Sequence, residues 1–481
     1  MSPMTNVRKI GFILGPVLFF ALLSLQEVSP LEPTAWKVLA MTAWMVTWWI
    51  TEAIPIPVTA ILPMVLLPLL QIFNIREATA SYADPIIFLF MGGFLIALGL
   101  EKHHLHTRIA LNLIKITGTN SNGIVLGFML ATAFLSMWIS NTAATVMMLP
   151  IAMSIIELIP RNQPELAKSH DFKMFALCLM LGVAYAANIG GTATIIGTPP
   201  NIVLVGFAQT MLHQDLSFSK WLLIGLPFAA TMLLLTFFML TRFLYPSKMG
   251  SISGSRQVVD QKIRELGPVS TAEKRVSLVF GLTALSWIFR SPLNQLIGQN
   301  ILNDTIIAMT GGILMFIVPS GNGKALLSWK DSKRLAWGIL LLFGGGLTLA
   351  KSLEEAGIIQ IIGQSIQENG SFGVLLVLFL LITVMLFMTE LMSNVALATI
   401  FIPVVIGIAG GLGVEPLYFA IPVTLASSCA FMMPISTPPN AIVFSSGFIR
   451  MDQMVKAGVW LNLISIFILM ILGSSIVRWI Y

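Results

Sequence analysis

The chain has 481 residues, of which 56% are hydrophobic and only 10% charged, with a mean hydropathy of +0.89 and a net charge of +6. A soluble domain carries about 25% charged residues, so a water-soluble globule is excluded. Uncharged apolar runs of about 20 residues, the length that crosses a bilayer, recur from end to end and are continuous rather than alternating, which excludes a β-barrel.

The reading in chain order is an all-α polytopic membrane protein with eleven transmembrane helices and two re-entrant hairpins. The positive excess sits in a few loops, where it reports orientation rather than nucleic-acid binding. Arg8 and Lys9 place the N-terminus on the cytoplasmic side, and residues 10–26 form a retained first span rather than a cleaved signal. The second span, 35–53, ends at Glu52 and the Ile54–Pro57 turn, where proline withholds a donor from the helix. A third span follows to Phe73. The fourth begins near Asp84-Pro85, contains Gly92-Gly93, and carries a polar section, Glu101–Arg108, that is too charged for lipid. The cluster His103-His104-Leu105-His106 reads there as a solvated face.

The run 121–158 is too short for two crossings and too long for one. Arg161, Lys168 and Lys173 mark the loop after it as cytoplasmic, as is the end of the fourth span. The segment therefore enters and leaves by one face, a hairpin with Ser140-Asn141-Thr142 at its tip. Irregular backbone at that depth is tolerated only where protein or a polar cavity satisfies it. The fifth span, 174–210, is broken by Gly197-Thr198-Pro199-Pro200-Asn201, and the sixth covers 221–245. The loop 246–275 is basic and reads as a cytoplasmic linker. Spans at 276–290, 304–319 and 335–366 follow. A second hairpin, 372–410, has flanks without Lys or Arg and enters from outside; the tenth span, 416–448, is broken at Ser436-Thr437-Pro438-Pro439-Asn440. The eleventh leaves the C-terminus extracytoplasmic. Cys178 and Cys429 fall in apolar runs and read as inert small residues.

The two halves repeat. Gly92-Gly93 recurs as Gly345-Gly346, Glu101 as Glu354, Ser140-Asn141 as Ser393-Asn394 and Pro150 as Pro403, each 253 positions later; Thr198–Asn201 recurs as Thr437–Asn440, 239 positions later. Loop charges orient the copies oppositely. Inverted repeats with broken helices and a site at mid-membrane are the architecture of secondary transporters. A polar tip exposes a helix N-terminus to anions, while Ser, Thr and Asn oxygens suit a hard cation. No Lys, His or Cys falls near either tip, which argues against an intramembrane enzyme. The occluding hairpins argue against a channel.

The paired Ser-Asn-Thr and Ser-Asn-Val tips, the paired Thr-Pro-Pro-Asn breaks and the stretch Trp49–Val58 resemble the divalent anion/sodium symporter family, the INDY-type di- and tricarboxylate transporters. The resemblance implies an elevator-type homodimer in the cell membrane that couples sodium to a C4-dicarboxylate of the succinate, malate or fumarate class. A citrate or sulfate carrier and a sodium-independent exchanger are the alternatives. It implies scaffold helices at 1–84 and 276–334, a first repeat at 85–245, the linker 246–275, a second repeat at 335–450 and a last helix at 451–481. By position it gives sodium to Ser136, Ser140, Asn141 and Gly197 at the first tip, and to Thr389, Met392, Asn394 and Ser436 at the second. Substrate carboxylates fall to Ser140, Asn141, Thr142, Thr198 and Pro199, and to Ser393, Asn394, Val395, Thr437 and Pro438. Val395 stands where the first tip has Thr142, so the second lacks one hydroxyl.

Overall fold

The computed structural model describes residues 6–162, 164–167, 169–252, 254–321, 323–369 and 373–477. Among these the architecture is helical, with two isolated bridges and no strand. The expected positions of Lys168 in the basic loop, of Ser371 and Phe372 at the second hairpin, and of residues 478–481 lie outside the described residues.

Helices α1 (Asn6–Ser24) and α2 (Pro33–Thr51) pack together. α2 stops at Glu52, whose left-handed φ of 46° opens the proline turn and whose carboxylate pairs with Arg8 at 2.8 Å. The expected third span is two pieces, α3 (Ile56–Thr59) and α4 (Leu62–Leu69), with prolines in the first turn of each. α5 (Ile75–Ala80) opens with an Asn74/Glu77 capping box. The fourth run divides into α6 (Pro85–Lys102), capped by Asp84, and α7 (Leu105–Ile116), with left-handed His104 between them.

The first hairpin is α8 (Ser121–Ser136) and α9 (Asn141–Asn162), followed by the turn α10 (Pro164–Ala167), then α11 (His170–Gly191) and α12 (Pro199–Met211) on either side of the break. α13 (Phe218–Phe238) continues as a π-helical stretch to Leu244. The linker read as loop contains a helix, α14 (Ser255–Glu265). It buries Val259 and pairs Lys262 with Glu265, a local pattern masked by the polar composition. α15 (Thr271–Ile288) bends by 80° into α16 (Arg290–Ile297), and α17 (Asp304–Ile317) and a 3₁₀ turn, Trp329–Arg334, lead to the second half. There the ninth run splits at Gly357 into α18 (Trp337–Glu355) and α19 (Ile358–Asn369). The second hairpin is α20 (Val374–Thr389) and α21 (Asn394–Gly411), and α22 (Pro416–Ser427), α23 (Pro438–Phe444) and α24 (Met451–Leu472) complete the chain. Seven helices or helix runs among the described residues are long and apolar enough to cross a membrane, and the bent α15–α16 pair is an eighth candidate.

Helix boundaries keep the sequence register. α19 and α20 begin and end 253 residues after α7 and α8, α21 begins 253 after α9, and α23 begins 239 after α12. The inversion is visible in the contacts. At the foot of the first hairpin Ser121 bonds to Met249 and Gly250, and Asp171, where α11 begins, bonds to Ser247 and Lys248; all four partners follow the far end of the α13 run. At the foot of the second hairpin Glu415 accepts from Gln214, which precedes α13. The feet thus lie at opposite ends of one 27-residue helical run, Phe218–Leu244.

The repeated glycines serve close packing. A methyl group at Gly92 would fall 2.5 Å from the carbonyl carbon of Ala308 on α17, and one at Gly345 would strike the Ala60 carbonyl between α3 and α4.

Candidate functional site

At the first tip, Ser140 ends the turn and caps α9, its hydroxyl accepting from the Ala143 N–H at 3.2 Å. Asn141 is then the first residue of α9, with the free N–H groups of that turn directed outward. Behind it, Ser136 Oγ lies 2.6 Å from Asn141 Oδ1 and 2.7 Å from the Ala187 carbonyl. One hydroxyl proton can satisfy only one of those acceptors. Gly197 belongs to the same neighbourhood: a Cβ on Gly191 would stand 2.6 Å from Asn141 Oδ1 and 3.2 Å from the Gly197 carbonyl. Hydroxyl, amide and carbonyl oxygens therefore crowd together with too few protons among them, an arrangement that a small hard cation resolves.

The second tip reproduces it. Ser393 caps α21 through the Ala396 N–H, and Thr389 Oγ1 lies 2.8 Å from Asn394 Oδ1 and 2.6 Å from the Ser427 carbonyl. The carbonyls of Ala187 and Ser427 are absent from any tip motif and come from helices 51 and 38 residues away. Ser436 differs from the rest of its expected set: its hydroxyl bonds to Glu390 at 2.6 Å and to the Met433 carbonyl at 2.8 Å. Met392 lies in the tip turn between α20 and α21.

The two breaks are held by the asparagines that end the Thr-Pro-Pro-Asn motifs. Asn201 donates to the Thr194 carbonyl at 2.8 Å and to the Gly191 carbonyl at 3.3 Å. Asn440 donates at 3.1 Å to Met433 and to Ala430, which hold the same register positions. Both asparagines are fully buried. They occupy carbonyls freed where the helix unwinds, without which broken backbone at this depth would be costly. Pro199 and Pro438 stand at the first positions of α12 and α23, where a missing N–H costs nothing. Thr198 and Thr437 precede them as caps; only Thr437 uses its hydroxyl, accepting from the Asn440 N–H. Asn188 joins the halves by donating to the Ala430 carbonyl, Thr437 and Asn440. α23 also packs on α9 and α12 on α21, so each break meets the opposite hairpin.

Glu390, beside the second tip, is buried. Its carboxylate accepts from the N–H groups of Phe431, Met432 and Met433, from Ser436 and from Asn462. It cements the unwound segment between α22 and α23. The first half has Met137 in that position and secures its tip differently, with Thr194 Oγ1 donating to the Met137 carbonyl.

A cavity of about 660 Å³ reaches the first tip. Ser140 and Thr142 line it together with Glu101, Lys102, His104, His106 and Arg334. Arg334 pairs with Glu101 at 3.1 Å and Lys102 with Asp331 at 2.8 Å. Burial raises the Asp331 carboxyl, but bonds from Lys102 and Ser328 outweigh it and bring it down to about 2. Ser393, Asn394 and Val395 do not line this cavity. His106, expected on a solvated face, is buried with Nδ1 2.9 Å from the Leu100 carbonyl, because the kink at His104 turns it inward.

Residues 10–481 match the family described as the sodium:sulfate symporter transmembrane region. A protein named sodium-dependent dicarboxylate transporter SdcS from Staphylococcus saprophyticus is 39% identical over 468 residues, covering 96% of this chain and 90% of its own. One of the same name from Staphylococcus aureus strain MRSA252 is 40% identical over 477 residues, covering 98% and 91%. The crystal structure of the Alcanivorax borkumensis YdaH transporter is 12% identical and covers 97% of this chain and 98% of that one with a TM-score of 0.56, a likeness of fold.

Proposed function

The chain belongs to the sodium:sulfate symporter family, and from that premise we propose that it is a secondary active symporter that imports a C4-dicarboxylate together with sodium. The observation that carries the reading is the pair of mirrored oxygen clusters, Ser136–Asn141–Ala187 and Thr389–Asn394–Ser427, each placed behind a helix N-terminus. A cation held by the amide oxygen on one side and a carboxylate met by N–H groups on the other would be bound together or not at all. The tips carry no Lys or Arg. The substrate's charge would then be offset by its co-ions, which makes coupling obligatory.

In this reading Ser136, Asn141 and Gly197 hold one sodium; Thr389, Asn394 and the Met392 carbonyl hold another. Ser140 and Ser393 divide their role between capping and contact with substrate. Ser436 acts through Glu390 and the shape of the break. Thr142, Thr198, Thr437 and the N-termini that follow Pro199 and Pro438 complete the carboxylate cradle, and Val395 leaves it one hydroxyl short of the first tip. The protein works as a homodimer in the cell membrane, with 1–84 and 276–334 as a scaffold on which the hairpins and broken helices move as an elevator. Its chemistry is transport and not catalysis.

The test is uptake of radiolabelled succinate into proteoliposomes under an inward sodium gradient, with unlabelled malate, fumarate, citrate and sulfate as competitors. Stimulation by sodium and competition by the C4 acids ahead of citrate and sulfate are expected. Equal uptake in sodium and potassium would sink the symport assignment.

A further inference from the structure

The halves share one register and bury many of the same positions, such as Ala144 and Leu397, yet differ along one side of each hairpin and break. On α21, Ala396, Thr399 and Pro403 are buried; on α9, the corresponding Ala143, Val146 and Pro150 are half-buried or exposed, Val146 to 54%. Past the breaks the bias reverses. Ile202 and Gly206 of α12 are buried and Ile196 before them is half-buried, whereas their mates Ala441, Ser445 and Ile435 are exposed, Ile435 to 79%. Lipid would not distinguish such mates in pairs. A body docked by one face at a time would.

The docking points are glycines. The Thr399 methyl rests on Gly346 of α18. Ile196 rests on Gly93 of α6, its Cγ2 3.3 Å from where a Gly93 Cβ would stand. The repeat pairs Gly93 with Gly346, Val146 with Thr399 and Ile196 with Ile435. One glycine therefore holds a hairpin and the other a break, and exchanging the halves pairs each with the residue now exposed. The cavities agree. The one at the first tip contains Glu101, Lys102 and Arg334; its mate of about 500 Å³ contains Glu354, Glu355 and Ser81 at the same register positions. The first opens onto Ser140 and Thr142, while the second is lined by Gln209, Thr210 and Met211 of α12 and by no hairpin residue.

We propose that Gly93 and Gly346 are positioning residues, two seats that exchange occupants during the cycle. The structure holds the state open at the first tip, with Ile196 on Gly93 and Thr399 on Gly346. In the opposed state Val146 seats on Gly93 and Ile435 on Gly346, and Ile196 and Thr399 become exposed. The proposal rests on the transport reading and adds to it the contacts that define the second state.

The experiment uses full-length protein with Cys178 and Cys429 replaced by Ala. The pair Gly346→Cys/Thr399→Cys reports the present state, since the Thr399 Cβ stands 3.5 Å from the Gly346 Cβ position, within reach of a disulfide. The pair Gly93→Cys/Val146→Cys reports the opposed state. Mild oxidation in proteoliposomes should link both pairs, and each link should lower succinate uptake more than tenfold until it is reduced. A third cysteine at Ile435 should react with maleimide when the first pair is linked and be protected when the second is. A Gly93→Cys/Val146→Cys pair that stays unlinked in a transporting protein, or a linked one that still transports, overturns the proposal. Should Gly93→Cys fail to fold, single cysteines at Val146 and Ile435 suffice: their labelling rates rise together when Gly346→Cys/Thr399→Cys is linked and fall together on reduction, and independent changes overturn it. If the parent takes up no dicarboxylate, it is the transport reading that fails.

Discussion

Met137 and Glu390 occupy equivalent positions, yet one half secures its break with a threonine hydroxyl and the other with a buried carboxylate that accepts from three backbone N–H groups, Ser436 and Asn462. The oxygen clusters beside them are nearly superimposable in bonding. Both copies keep the hydroxyl–amide–carbonyl set, whereas the means of stiffening the adjacent backbone differs between them. The comparison also separates two kinds of asparagine. Asn141 and Asn394 present an oxygen to the cluster; Asn201 and Asn440 spend their amide N–H₂ groups on freed carbonyls.

The largest effects should appear where the halves agree. Asn141→Ala and Asn394→Ala each remove a shared oxygen and should reduce sodium-driven uptake by more than the ~10–100-fold typical of groups that only orient a metal ligand, with normal elution on size exclusion. Retained uptake in either variant would detach that tip from the site. Next is the divergent position. Glu390→Ala leaves several buried N–H groups unsatisfied and should lower unfolding stability by about 3–5 kcal/mol, given ~1–3 kcal/mol for each such group. Met137→Leu should cost under about 1.5 kcal/mol. Equal thermal shifts would erase the distinction between the halves. Asn201→Ala and Asn440→Ala should destabilise alike, by about 1–3 kcal/mol each, since they fill mirrored roles.

Val395→Thr restores the missing hydroxyl and should shift the citrate-to-succinate competition ratio by less than about tenfold, while an unchanged ratio would remove Val395 from the cradle. The smallest effect is at Asp331. Its folded carboxyl, at about 2, lies below the ordinary 3.8. The linked stability is complete above pH 4 and is lost as pH falls towards 2. Asp331→Asn should remove that acid-dependent component, roughly 1 kcal/mol or less for a partly exposed pair, as read from melting temperatures across that range.

Much of this was legible in the sequence for a plain reason. Hydropathy and proline placement act locally, so the breaks and tips fall where composition puts them, although the third, fourth and ninth apolar runs each divide into two helices, and a repeat at a fixed offset exposes the second copy. What stayed hidden was tertiary. No tip motif contains Ala187 or Ser427, because each supplies only a carbonyl. Glu390 could be recognised as an isolated charge in an apolar run, but its five donor groups come from residues 41 to 72 positions away. The burial of His106 followed from a left-handed His104 that composition does not require. The asparagines closing the Thr-Pro-Pro-Asn motifs did carry a signal: a polar amide in a buried break must find partners, and the freed carbonyls are the nearest.

The most direct test of the mirrored clusters is the initial rate of succinate uptake measured against sodium concentration, for the parent and for Ser136→Ala and Thr389→Ala. Two coupled cation sites predict a sigmoidal dependence in the parent, with a Hill coefficient above one, and a flattened, right-shifted curve in each variant. A parent rate that does not depend on sodium, or variants that leave the curve unchanged, would contradict the account.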